Sequence, residues 1–167
     1  MNIAVRSAEA ATEKSGAGAA IAESIADFVA LRQELHQKPE LAFSERATTA
    51  KITDLLQSWG YKVAQLTRTG VIATLENGPG PVLGLRADID ALPITEATGL
   101  PFASTVPGVM HACGHDGHSA ILLAAARYLA RGRKFRGTLR LIFQPAEEIG
   151  AGARSLIDSG LFERFPV

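Results

Sequence analysis

Apolar positions recur first at helical spacing. Ile21, Ile25, Phe28, Leu31 and Leu35 fall three or four residues apart and Pro39 follows, so the spacing predicts an amphipathic helix ending near Gln37. A second helix is expected after Ser44, a plausible N-cap, with Ile52, Leu55, Leu56 and Trp59 as its apolar stripe and Gly60 placed to end it. Those stripes need a sheet to cover. Three strand-like runs follow over 62–66, 71–76 and 82–87, with Asn77-Gly78-Pro79-Gly80-Pro81 as the turn between the last two. The third run is apolar on both sides, which is the pattern of a central strand. Residues 88–118 show little periodicity and concentrate Pro, Gly, His and Asp, the composition of a long functional loop. A third helix is predicted over 119–130, with Ile121, Leu122, Ala125, Tyr128 and Leu129 on one side. A fourth strand over 138–143 ends at Gln144-Pro145, and a short helix follows over about 152–159. The order ααβββαβα implies an α/β domain of three αβα layers, a mixed sheet with helices on its faces.

A chain of 167 residues, 47% of them hydrophobic, is long enough for one domain with a real core. Residues 1–20 carry Ala, Ser, Gly and Thr with scattered charges and are expected to be a mobile leader, leaving 21–167 as the folded portion. Lys plus Arg and Asp plus Glu both number 17, so no net field draws the chain to nucleic acid or an anionic membrane; a small-molecule partner is expected. The only cysteine, Cys113, cannot form an intramolecular disulfide, which points to a reducing compartment such as the cytoplasm and to thiolate chemistry.

Candidate chemistry gathers in three places. His111-Ala112-Cys113-Gly114-His115-Asp116-Gly117-His118 holds three of the four histidines beside the cysteine. In an extended segment Cys113 and His115 point to the same side, where a thiolate and an imidazole can reach one metal. The alternatives are a buried structural thiol beside solvated histidines, or a nucleophilic Cys113 activated by His111 or His115. No Cys-x-x-Cys pair and no His-Glu-x-x-His helix is present. Glu147 and Glu148 follow the fourth strand; adjacent carboxylates there invite a cation or a division of labour, although a solvated acidic helix start gives the same pattern. Arg86-Ala87-Asp88-Ile89-Asp90-Ala91-Leu92-Pro93 runs from an apolar strand into two aspartates, at the kind of strand end where α/β sheets place their sites, or simply at a capped turn.

Together with Leu35-His36-Gln37-Lys38-Pro39-Glu40-Leu41, these segments resemble, in order and spacing, the signatures of hippurate hydrolases, N-acyl-amino-acid amidohydrolases and plant auxin-conjugate hydrolases. These enzymes fall in a wider clan of co-catalytic metallopeptidases. The resemblance implies a metallopeptidase-like catalytic domain in which Cys113, His115 and Glu148 ligate metal, Glu147 is the general base toward water, and Asp88 orients a ligand. It implies two divalent ions, with zinc preferred over Mn, Co or Ni, and a small N-acyl amino acid as substrate. Where the wider clan has a histidine ligand two residues before that aspartate, this chain has Arg86, as the hippurate hydrolase branch does.

Members of the family are considerably longer, with a further histidine ligand downstream, an inserted domain through which they form homodimers, and a last histidine near the C-terminus. The resemblance therefore implies that the 167 residues are a truncated and inactive part of a hydrolase, with an open sheet edge and uncovered apolar surface. The competing reading is a non-catalytic remnant that binds a metal or pairs with another chain.

Overall fold

The computed structural model describes residues 18–167, so most of the expected leader lies outside the described residues. The order is α1 (Ala19–Ala22), α2 (Ile25–Gln37), α3 (Arg46–Ser58), β1 (Lys62–Ala64), β2 (Val71–Asn77), β3 (Val82–Asp88), α4 (His115–Gly132), β4 (Gly137–Gln144), α5 (Gly152–Asp158) and α6 (Leu161–Arg164). Against the expected ααβββαβα, the additions are two four-residue helices, α1 and α6.

The four strands form one mixed sheet in the order β1-β2-β4-β3. β1 is antiparallel to β2 and β2 to β4, whereas β3 runs parallel to β4. The turn after Asn77 therefore joins two strands that are not paired. β4 returns through α4 and takes the place between them, as a parallel pair joined by a helix requires. Among the described residues β3 pairs on one side only, with β4, and its Val82 and Leu83 are 37% and 55% exposed. β2 and β4 are covered on both faces: Val71, Ala73 and Leu75 of β2 and Leu139, Leu141 and Phe143 of β4 face one core, while Ile72 and Ile142 face the other.

Three layers result. On one face α2, α3 and α4 pack Phe28, Leu31, Leu35, Ile52, Leu56, Leu122, Leu123 and Ala126 against Val71, Ala73, Leu75, Leu139, Leu141 and Phe143. Side chains with no exposure at all, such as Ile52, Leu123, Leu141 and Phe143, each contribute about 1.5–3 kcal/mol of transfer free energy. On the other face Leu156 of α5 and Leu161 of α6 cover Ile72, with Ile142 and Phe165 alongside.

The helices depart from the sequence expectation in their details. α2 begins at Ile25, and Ile25 is exposed, so only Phe28, Leu31 and Leu35 of the predicted stripe reach the core. Ser44 does not cap α3. The Glu40 carboxylate does so instead, accepting from the Ala47 and Thr48 amides at 3.0 and 2.8 Å. α4 starts at His115, four residues before the predicted start at Ser119. Its buried side carries His115, Ser119, Leu122, Leu123 and Ala126, while Ile121 faces solvent at 70% exposure. Burial of the polar His115 and Ser119 sets this phase, which an apolar count alone cannot register.

Candidate metal centre

All three chemical clusters meet at one end of the sheet, where parallel β3 and β4 finish and α4 begins. Cys113 and His115 do not alternate along an extended segment. Gly114 adopts φ 85°, a left-handed conformation that suits glycine, and the chain turns there directly into the first residue of α4. The turn brings together what alternation was expected to align. Ligand atoms of Cys113, His115 and Glu148 all lie within 4.8 Å of one another.

His115 is 2% exposed and its Nδ1 donates to the Asp90 carbonyl oxygen at 2.9 Å. That bond selects the tautomer and leaves the Nε2 lone pair facing the carboxylates. From His115 Nε2 the nearest oxygens are Asp88 Oδ1 at 3.6 Å, Glu147 Oε2 at 3.7 Å and Glu148 Oε1 at 3.8 Å. Asp90 also reaches the second glutamate, its Oδ2 accepting the Glu148 amide at 2.9 Å. One aspartate thus orients both a histidine and the backbone of a glutamate.

The two glutamates sit in different surroundings. Glu148 has a side chain 16% exposed, with a buried Oε1 that has no hydrogen-bond partner among the described residues, whereas the Glu147 side chain is 42% exposed. A buried carboxylate oxygen without a donor is costly unless something satisfies it. Cys113 is exposed, but desolvation and then the charges of Glu148, Glu147 and Asp88 push its thiol above the ordinary range. Those surroundings oppose the nucleophilic-cysteine alternative, which needs a thiolate stabilised by imidazole. A divalent cation reverses the balance, because it favours thiolate and carboxylates together. The donor set therefore fits a divalent metal.

Asp88 lies at the end of β3 and accepts from His118 Nδ1 at 2.6 Å, with Arg86 Nη1 at 3.0 Å on its other oxygen. Burial acts to raise the Asp88 carboxyl, but the His118 hydrogen bond and the charges of His115 and Arg86 outweigh it and hold the carboxyl below its ordinary value. Asp88, His115 and His118 also place ligand atoms within 4.8 Å of one another, yet the His118–Asp88 contact already has hydrogen-bond geometry. Arg86, in the position where a histidine was noted to be missing, also donates from Nε to Gln144 Oε1 at 3.0 Å and so ties the ends of β3 and β4.

Behind this end lie polar groups whose partnerships local spacing could not reveal. His36 is 2% exposed and meets Asp116 through Nδ1 at 2.8 Å and Glu96 through Nε2 at 3.2 Å, joining α2, α4 and the intervening loop. The Ser104 amide and the Thr98 hydroxyl, with His36, hold the Glu96 carboxyl down to about 2. His111 is 4% exposed with neither ring nitrogen partnered among the described residues, and burial pushes it down to about 4 against the pull of Asp116. Of these, His36 was legible as part of a motif, but its partners lie 60 and 80 residues away.

Residues 84–167 match peptidase family M20/M25/M40. Hippurate hydrolase of Campylobacter jejuni is 48% identical over 83% of this chain and 37% of its own length. N-acetylcysteine deacetylase of Bacillus subtilis is 49% identical over 80% of this chain and 36% of its own length. Among solved structures, the Bacillus subtilis YXEP protein, described as a dinuclear metal-binding peptidase of the M20 family, superposes with a TM-score of 0.79 and 48% identity over 82% of this chain and 39% of that one. The chain thus spans little more than a third of the length of the relatives it matches.

Proposed function

The chain belongs to peptidase family M20/M25/M40, and on that premise we propose that the full-length protein is a metal-dependent amidohydrolase that splits the amide bond of N-acyl amino acids into a carboxylate and an amino acid. The observation that carries this reading is the convergence of Cys113, His115 and Glu148 beside Glu147 at the carboxyl ends of β3 and β4. Two of the relatives are named for hippurate and N-acetylcysteine, both of them N-acyl amino acids.

Cys113, His115 and Glu148 would hold the metal, with Asp90 orienting His115 and the Glu148 backbone toward it. When bound, a divalent ion supplies Lewis-acid polarisation of the amide carbonyl and lowers the pKa of water. Glu147, more exposed than Glu148 and 3.7 Å from His115 Nε2, is placed to take a proton from the attacking water and return it to the leaving amine. Asp88, held ionised by His118 and Arg86, positions the imidazole face of the site rather than touching substrate. The thiolate favours zinc over harder ions, with Mn, Co and Ni as alternatives. The dinuclear description of the YXEP protein supports a second ion, which would need ligands in addition to Cys113, His115 and Glu148.

Full-length protein loaded with Zn²⁺ or Mn²⁺ is expected to release glycine from hippurate, and Cys113→Ser to lower metal stoichiometry and turnover together. Unchanged metal content with full activity in that variant would remove Cys113 from the site. A second reading, that these 167 residues alone pair through β3, is favoured by the exposure of Val82 and Leu83 on an edge strand. Sedimentation of the chain as a monomer would dispose of it.

A further inference from the structure

Glu45 is a carboxylate with 0% exposure, and it stands just before α3, remote in sequence from the metal cluster. Its Oε1 accepts the Ala146 amide at 2.8 Å across 101 residues, while Oε2 has no partner among the described residues. A carboxylate is not left in such a place cheaply. What it holds is unusual in its own right. Ala146 adopts φ 52°, a left-handed conformation that costs an L-residue on the order of 1 kcal/mol or more. The residues directly after it are Glu147 and Glu148.

The rest of the turn is held on every side. Ala146 is fully buried, and its carbonyl accepts from the Ala151 and Gly152 amides at 3.3 and 3.0 Å. Pro145 lies against Gly70, where a Cβ would sit 2.7 Å from Pro145 Cδ. The Gly70 amide in turn donates to Thr49 Oγ1 at 2.9 Å. Glu45 and Thr49 lie four residues apart, and the Thr49 amide donates to the Glu45 carbonyl at 3.0 Å. The start of α3 therefore anchors both the strained turn and the segment packed behind it.

We infer that Glu45 is a positioning residue of the metal site: by holding the Ala146 amide it fixes the left-handed turn that aims Glu148 at Cys113 and His115 and sets Glu147 beside them. This rests on the metal reading above for its consequence, but the anchoring itself is independent of it. The role belongs to acceptor geometry rather than to charge. Glu45→Gln keeps an oxygen at the same reach and Glu45→Asp keeps the charge one methylene short, so the two variants separate these properties.

The test uses the 167-residue chain with Co²⁺, read through thiolate-to-cobalt absorption, together with hydrogen exchange at the Ala146 amide. Glu45→Asp is expected to weaken Co²⁺ binding about tenfold, as loss of an outer support of a metal ligand does. Exchange at Ala146 should accelerate on the order of tenfold as its hydrogen bond is lost. Glu45→Gln should leave both within about twofold of the parent on the same scale. Retention of affinity and protection in Glu45→Asp would overturn the inference, and so would equal losses in Glu45→Gln and Glu45→Asp. If the parent chain binds no cobalt, the same comparison is made in full-length protein, whose failure to bind would count against the metal reading, and the anchoring is decided by exchange alone: unchanged protection in Glu45→Asp refutes it.

Discussion

Gly152→Ala sets two opposed effects at one position. Gly152 opens α5, where alanine is favoured over glycine by up to about 1 kcal/mol, so helix propensity predicts a more stable protein. Packing predicts the opposite. A Cβ there would overlap the Pro145 carbonyl oxygen, lie 2.7 Å from the carbonyl carbon, and come within 3.1 Å of Gln144 Nε2. The overlapped Pro145 oxygen sets the requirement, since non-bonded carbon and oxygen need about 3 Å or more between them, so the two segments must separate by well over about 1 Å. The obstruction is backbone and cannot rotate aside. Separation opens the Gly152 and Ala151 hydrogen bonds to the Ala146 carbonyl, which close the turn bearing Glu147 and Glu148. Overpacking of this kind costs about 1–3 kcal/mol, and lost hydrogen bonds add to it, so steric cost wins and Gly152→Ala is expected to destabilise by about 2 kcal/mol net. Urea unfolding of the chain measures this, with Gly117→Ala as the internal control. Gly117 lies in α4 with nothing within 4 Å of its added Cβ, and there propensity should act alone and stabilise by about 0.5–1 kcal/mol. A Gly152→Ala midpoint at or above the parent, with unchanged slope, would refute the steric argument.

The two glutamates should separate by phenotype in full-length protein: Glu147→Gln keeps metal and loses on the order of 10² or more in kcat, as loss of a general base does, whereas Glu148→Gln weakens metal binding. Metal analysis beside steady-state rates checks this, and the opposite pairing would exchange their roles. The 167-residue chain by itself is expected to show no turnover of hippurate even with excess Zn²⁺ or Mn²⁺, because its Cys113, His115 and Glu148 offer three donors to a co-catalytic centre that needs more. Turnover comparable to full-length protein would contradict that donor count. Alkaline stability should carry a Tyr61 signature: burial, against the opposing charge of Arg133, pushes its phenol up to about 12. Its neutral form donates to the Ala126 carbonyl at 3.0 Å. Since the folded state resists ionisation, its contribution is whole below the unfolded value of about 10 and is lost as pH rises from there through the folded value. Tyr61→Phe should flatten that decline in denaturation curves, and an identical alkaline slope in both proteins would exclude the effect.

The sequence by itself determined which segments are helix and strand and which short clusters carry chemistry. Both are local properties: the spacing of Phe28, Leu31 and Leu35 or of Ile52 and Leu56 marks a buried helix face, and Cys, His and paired Glu declare their chemistry wherever they stand. Element order and the mixed α/β class follow from the same periodicities. Tertiary structure decided what depends on neighbours distant along the chain. β2 and β3 follow one another in sequence, yet they do not pair, because β4, arriving through α4, inserts between them. Cys113 and His115 converge through a left-handed glycine rather than through strand alternation, which spacing cannot distinguish. Glu45 reads locally as a helix start, and His36 as one residue of the motif over 35–41. Each is instead buried against a partner 101 or 80 residues away, at the turn bearing the two glutamates and beside His115. A periodic pattern records only whether a face is apolar. What a buried polar atom meets is settled when the sheet closes and brings α2, α3 and the strand ends together.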